Sequence, residues 1–422
     1  MNSRMRSSVS LSIANRPHML SSCPTPATLA PPSVEEFTPA PNERQTGPMD
    51  SSSPAQLARL RLTSQRVHRH RPATPSETVT QLTAMQGQDL PGVLWSIGLR
   101  TPGATESDVR AAFDRRELVR SWPMRGTLHV TAPDDLRLIL PLSRHRLKTA
   151  VASRHRELGI TADDVTTATD AGTRALGEGP LTRKQLLEVF EAAGQSTAGQ
   201  RGIHLISSLA HAGLICQGPF VGTEQAFVLF DEWAPSTAAT YDRDEAIAVV
   251  ALRYFVSHGP ATEADLAWWA NLTLTDVRAA IAAIGDRMAS RSIDGRTYYG
   301  AGDVLDAARP DEAASDVFLM PGFDEQLLGY ADRSAALNPE HSERIVPGRN
   351  GVFKPTLVIG GRVSGTWSRR EKARGIDVVV MPFDALDKDT ERGIERAVEH
   401  YSRFKEKPVS ETIAAEAFPP AR

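Results

Sequence analysis

Cysteine is nearly absent from this chain of 422 residues, which holds only Cys23 and Cys216. Two thiols, one of them in a proline-rich stretch, exclude a disulfide framework, a thiolate zinc site and an iron–sulfur cluster. Long apolar runs are lacking too. No stretch approaches the roughly 18 uninterrupted apolar residues of a membrane span, and Met1 to Leu20 has no apolar core of signal-peptide type. The sequence therefore predicts a cytoplasmic protein, nucleoid-associated if bacterial, with no membrane partner and no structural metal. Several catalytic signatures are also missing: a glycine-rich phosphate loop, Gly-x-Gly-x-x-Gly after a strand, a Gly-x-Ser-x-Gly elbow and a His-Glu-x-x-His helix. Nucleotide hydrolysis and hydride transfer are disfavoured, and no cofactor is expected.

What is present is a globular composition, 41% hydrophobic and 23% charged, long enough for two to four domains. The net charge of −3 argues against a nucleic-acid partner only on average, because screening confines each field to about 10 Å. From Arg100 to Glu157, twelve basic residues face seven acidic ones, a local excess of five. That segment is either a DNA-facing surface or a plain solvated arginine-rich helix face.

Residues 1–54 hold nine of the 29 prolines among serine and threonine clusters and read as a disordered tail. Met49 opens the more ordinary sequence and is expected to be where the chain proper starts. Val79, Leu82 and Met85 then follow helical spacing, and a break at Gln86-Gly87-Gln88-Asp89 leads to a helix over about Leu90 to Leu99. A unit then recurs: Gly103-Ala104-Thr105, Gly179-Pro180-Leu181-Thr182 and Gly259-Pro260-Ala261-Thr262 place their threonines 77 and 80 residues apart. Each threonine is a candidate N-cap. After it come helical periodicity, a turn, a second apolar-faced helix and two strands, the pattern of a winged helix. The strands of the second copy are Leu214 to Cys216 and Phe227 to Phe230, with Gly218 to Gly222 read as their loop. Beyond about Asp311, strands at Asp316 to Met320, Thr356 to Ile359, Arg362 to Trp367 and Ile376 to Met381 precede a helix over Thr390 to Phe404.

The expected architecture is α+β. A winged helix over 55–157 carries the Gln-x-Gln sequence, a second spans 158–236, a third 237–310, and a β-rich region with a final helix occupies 311–422. Such units also serve as protein-interaction scaffolds, so the repeat speaks for architecture and not for activity.

Two local sequences stand out: Gln86-Gly87-Gln88-Asp89, and Trp122-Pro123-Met124-Arg125-Gly126-Thr127-Leu128-His129. Glutamine does not titrate, so neither Gln86 nor Gln88 is a general base, but each amide accepts and donates hydrogen bonds and can orient a water. The alternative is that they cap a helix junction. Asp89 is a candidate base or electrostatic stabiliser. Arg125, Thr127 and His129 are candidate DNA contacts on a wing, although His129 reads equally as a buried strand histidine and Trp122 as core. Trp268 and Trp269 read as packing residues. On the second recognition-type helix, about Gln200 to Ala212, Arg201, His204, Ser208 and His211 are candidate groove contacts.

Together with Leu118-Val119-Arg120, Gly259-Pro260-Ala261-Thr262, Trp268-Trp269 and Pro321-Gly322-Phe323-Asp324-Glu325-Gln326-Leu327-Leu328-Gly329-Tyr330, these motifs resemble the AlkZ-like winged-helix DNA glycosylases over roughly residues 57–405. The resemblance implies three tandem winged helices around a basic cleft and a metal-free, monofunctional DNA glycosylase. Such an enzyme removes N7-alkylated purines or unhooks interstrand crosslinks in double-stranded DNA, and the expected state is a monomer. The family signature is Gln-x-Gln with an aliphatic middle residue, which Gln86 and Gln88 match and Gly87 does not. Glycine at that position is expected to loosen the backbone. Asp324 and Glu325 match the family without an assigned role and read as acids at a helix start. A non-catalytic DNA-binding or regulatory protein using the same wings is the alternative.

Overall fold

The computed structural model describes residues 53–68, 72–236, 238, 240–306 and 316–413. The expected tail lies outside these except for its end, where Ser53 caps and Pro54 begins a helix instead of continuing coil.

Element by element, short polar caps start the helices and glycine turns close the hairpins. The chain opens with α1 (Pro54–Ser64), α2 (Pro75–Leu82), the two-residue strand β1 (Met85–Gln86), α3 (Leu90–Arg100) and α4 (Glu106–Asp114). Met85 therefore leaves the helix that its spacing suggested, because Thr83 at φ 69° turns the chain out of helical geometry. The hairpin β2 (Val119–Met124) and β3 (Thr127–Thr131) precedes a 25-residue helix α5 (Pro133–Glu157). Next come α6 (Ala162–Leu176), α7 (Arg183–Ala192), α8 (Arg201–His211), β4 (Ile215–Val221), β5 (Glu224–Leu229) and the single turn α9 (Phe230–Trp233). Gly218 lies inside β4, and the hairpin turns at Gly222 instead, where φ is 65°. The third repeat comprises α10 (Arg243–His258), α11 (Glu263–Ala270), α12 (Leu274–Ile284), β6 (Ala289–Ile293) and β7 (Arg296–Gly300), followed by the turn α13 (Gly302–Leu305).

The recurring threonines have one physical job. Thr105, Thr182 and Thr262 each accept the N–H of the third helical residue, whose own side chain returns to the cap's N–H. Such a reciprocal box satisfies two backbone donors that a helix start otherwise leaves unpaired.

The repeats are not separate bodies. One five-stranded sheet runs β1-β3-β2-β4-β5, joined between β2 and β4 at Arg120 and Gln217, so it spans the expected boundary at 157/158. A second five-stranded sheet, β12-β11-β10-β9-β8, is built from β8 (Val317–Met320), β9 (Thr356–Ile359), β10 (Arg362–Lys372), β11 (Gly375–Pro382) and β12 (Val409–Ile413). The turns α14 (Glu325–Leu328) and α15 (Ser342–Ile345) lie between β8 and β9, and α16 (Lys388–Lys405) precedes β12. This C-terminal region shares a core with α1 to α4: Trp95 of α3 packs edge-on against Tyr401 of α16 and donates from its indole to the Leu319 carbonyl at 2.7 Å.

The same joint positions the loop before α14. Arg100 at the end of α3 is fully buried and forms a fork to both oxygens of Asp324, at 2.9 Å each, while Ser96 donates to that carboxylate at 2.6 Å. Asp324 in turn caps α14 through the Gln326 N–H. A bidentate pair with all its donors used holds its neighbours in one geometry, and here the neighbour is Glu325.

Candidate active site

β1 delivers Gln86 opposite His129 of β3 in the antiparallel ladder, so the junction between α2 and α3 carries the glutamine on a short strand. Gln86 is 8% exposed. Its main-chain N–H donates to Glu325 Oε1 at 2.8 Å, and its side-chain oxygen accepts from Arg125 Nη2 at 3.0 Å. The Gln86 Nε2 has no partner among the described residues.

Gly87 is pinned instead of loose. Its N–H donates to the Leu128 carbonyl at 2.7 Å, and its own carbonyl accepts from Arg120 Nε at 2.8 Å. Arg120 is itself buried and fixed by Gln217 and Gln225 of the second hairpin, so the shared sheet buttresses the site loop. A β-carbon on Gly87 would meet Arg120 Nε and a Val130 methyl at 3.3 Å each, which is the local reason that the smallest residue fits.

Gln88 is exposed, and its side-chain oxygen accepts the Leu128 N–H at 3.2 Å, leaving the second lone pair free. Asp89 caps the position before α3 without a side-chain cap bond. Its carboxylate lies over Gly92 and 3.6 Å from Arg369 of β10.

Arg125 and Gly126 form the two-residue tip between β2 and β3, at φ 52° and 70°. Positive φ at both positions matches the twist of a tight hairpin but costs a bulky residue about 1 kcal/mol or more. The side chain supplies the compensation by folding inward. Its guanidinium donates to the Trp269 carbonyl and to Gln86, approaches His129 Nε2 at 3.3 Å, and lies 4.4 Å over the Trp268 ring. Burial lowers its pKa to about 10, with Glu325 opposing the shift, so it stays charged at neutral pH. Arg125, expected as a DNA contact, thus turns its two terminal nitrogens into the site.

His129, read either as a DNA contact or as a buried strand histidine, also faces inward. It is fully buried, with Nδ1 2.9 Å from the Thr127 carbonyl. Burial first, and Arg125 second, press its pKa down to about 3. It is therefore neutral, donating from Nδ1 and accepting from Arg125. Thr127 donates to the Met124 carbonyl at 3.4 Å and closes the turn. Arg201 is likewise committed, donating to the Leu158, Gly159 and Ser196 carbonyls and clamping the turn between α5 and α6. His204 packs edge-on against His155 at 5.4 Å, half-buried on α8. Neither is among the residues gathered around Gln86.

Glu325 is what sequence reasoning missed. It is 1% exposed and accepts from Gln86 N–H and from Trp269 Nε1 at 3.0 Å, with His258 Nε2 at 3.4 Å. Burial alone would raise its pKa. The contact with His258 and nearby positive charge, Arg125 included, outweigh that and hold the carboxyl at about 2. The site floor is thus an ionised carboxylate and a guanidinium bracketing one glutamine. The only available sequence signal was an acid between Phe323-Asp324 and Gln326 with no role to play.

Among the described residues no group of three or more His, Cys, Asp or Glu is arranged to hold a metal ion, and no helix is long and apolar enough to cross a membrane. The profile of the DNA glycosylase AlkZ-like family matches residues 79–404. An interstrand DNA cross-link repair glycosylase of Streptomyces sahachiroi is 25% identical over 338 residues, which cover 78% of this chain and 90% of that protein. The solved structure of the Streptomyces sahachiroi DNA glycosylase AlkZ is similar with a TM-score of 0.71 at 24% identity, covering 86% of this chain and all of that one.

Proposed function

This chain belongs to the AlkZ-like DNA glycosylase family, and from that premise we propose that it hydrolyses the N-glycosidic bond of N7-alkylated purines, as monoadducts or interstrand crosslinks, with a water oriented by Gln86 and Gln88. The observation that carries this reading is the fixed Gln-Gly-Gln backbone. Glu325 holds the N–H of Gln86, Arg125 its side-chain oxygen, Arg120 the Gly87 carbonyl and β3 the Gly87 amide.

An N7-alkylated purine is already cationic, so its departure needs no general acid. The C1′–N9 bond breaks, its electron pair neutralises the purine, and water oxygen bonds to C1′ as its proton passes to bulk solvent at the exposed Gln88. Positioning replaces acid–base chemistry. The ionised Glu325 beside Arg125 keeps the floor close to neutral, so the cationic base and the developing positive charge at the sugar meet no net repulsion. Asp89, tied toward Arg369, has no part in the step.

The three helix–helix–hairpin units are read as tandem winged helices, over 55–157, 158–236 and 237–310, acting as a monomer. With Arg125, His129 and Arg201 turned inward, the phosphate contacts fall to exposed basic side chains of α5, among them Arg146, Lys148 and Arg156. The test is base release from duplex DNA carrying N7-methylguanine. Release that disappears in Gln88→Ala while duplex binding persists supports the reading, and binding with no release in either protein favours a non-catalytic DNA-binding role.

A further inference from the structure

Arg100, Arg120 and Arg125, packed around the site, each turn at least one terminal guanidinium nitrogen onto a protein acceptor. Arg100 forks to Asp324, Arg120 donates to Gly87, Gln217 and Gln225, and Arg125 donates to Trp269 and Gln86. Arg333 differs. It follows the Tyr330 turn, donates only its Nε, to the Leu327 carbonyl at 2.9 Å, and neither Nη has an acceptor among the described residues. Yet it is not a loose surface side chain. Its guanidinium carbon lies 4.9 Å from the Trp268 ring centre and 5.3 Å from that of Phe353, and Phe353 in turn packs 6.1 Å from Phe323. The same Trp268 ring carries Arg125, which touches Gln86. Contacts with two aromatic rings hold the guanidinium in place while its two Nη groups have no acceptor among the described residues. A half-buried guanidinium with two unspent donor groups suits a phosphate's bidentate geometry. Burial lowers its pKa, with Asp265 opposing; Asp265 accepts from the Ala331 and Asp332 amides and lies 3.7 Å from Arg61, and makes no hydrogen bond to the Arg333 fork.

We propose that Arg333, held against Trp268 and Phe353, binds a backbone phosphodiester of the DNA strand that carries the lesion and so registers the damaged nucleotide over Gln86. This rests on the glycosylase reading, and its failure can be told apart from the failure of that reading. Arg333 is a binding residue and takes no part in bond breaking.

The experiment compares wild type, Arg333→Gln and Arg333→Lys. Duplex affinity is measured by fluorescence anisotropy from 50 to 250 mM salt, and single-turnover release is measured on an N7-methylguanine duplex at saturating enzyme. Melting temperature serves as the folding control. One phosphate contact contributes about 0.9 to the slope of log affinity against log salt. Arg333→Gln is expected to lose that increment and to bind about tenfold more weakly at fixed salt. Its saturated release rate should fall as well, since the damaged nucleotide loses its register over Gln86, and Arg333→Lys, which keeps the charge, should retain the wild-type slope. Wild-type slope and affinity in Arg333→Gln, with wild type active, overturn the phosphate site alone. Equal slope losses in the Gln and Lys variants would mark a packing role and also overturn it. A wild type that neither binds duplex nor releases base removes the glycosylase reading together with this site.

Discussion

Replacing Glu325 with glutamine tests how the site floor is held, because the change keeps size and shape and removes only the charge. The carboxylate accepts the Gln86 N–H at 2.8 Å through one oxygen and the Trp269 indole N–H at 3.0 Å through the other. An amide has one oxygen, so one of these buried donors would face an NH2 group and lose its acceptor. Losing a hydrogen bond to a charged group costs about 1.5–3 kcal/mol, and leaving a buried donor unpaired costs about 1–3 kcal/mol. Arg125 would also lose its buried counter-charge, and the total expected loss is about 3–5 kcal/mol. Urea unfolding at pH 7 reads this directly. The pH dependence follows from sign: a carboxyl held at about 2 instead of its ordinary 4.5 contributes fully above pH 4.5 and loses that contribution as pH falls toward 2. The gap between wild type and Glu325→Gln should therefore narrow below pH 4.5. Folded variant should release N7-methylguanine at least about tenfold more slowly, since the Gln86 main chain loses its anchor. A destabilisation under about 1 kcal/mol with unchanged release would refute the assignment of Glu325 as the anchor.

Other expectations follow from the same geometry. His129, at about 3 against an ordinary 6.5, takes up its proton only on unfolding between those values, so stability falls with acid by about 1.4 kcal/mol per pH unit from this residue. His129→Gln should flatten the stability-versus-pH curve below pH 6.5 by about one proton. Gly87→Ala brings a methyl to 3.3 Å from Arg120 Nε and Val130, while reducing the freedom of the unfolded chain. Its net stability change should stay within about 1 kcal/mol with base release retained, as urea unfolding and a release assay would show. No lysine adjoins the glutamine motif to form a Schiff base, so borohydride should trap no protein–DNA adduct. Efficient trapping would contradict a water-only mechanism.

Local chemistry made much of the fold legible. Thr105, Thr182 and Thr262 announced their helices because a capping box is written within four residues. The turn between β9 and β10 is equally local, with Gly360 and Gly361 both at positive φ. The site was harder to read because its partners are distant in sequence: Glu325 lies 239 residues from Gln86, and the Trp269 carbonyl 144 residues from Arg125. A wing-tip arginine looks outward in sequence, and only the third repeat's tryptophans turn it in. The sharing of one sheet between the first two hairpins escaped notice too, since the Arg120–Gln217 pairing leaves no local pattern. Gly87 read as a loosened backbone until its two hydrogen bonds, both to residues of the following hairpin, were in place.

The central claim is that two glutamines on a rigid strand end position the hydrolytic water. Its most direct measurement is single-turnover release of N7-methylguanine from duplex DNA by wild type, Gln86→Ala and Gln88→Ala, with duplex affinity measured alongside. The account predicts that wild type releases the base, and that each variant is at least about a hundredfold slower with affinity largely kept, a loss of about 2.7 kcal/mol in transition-state stabilisation. Release at the wild-type rate by both variants would contradict it.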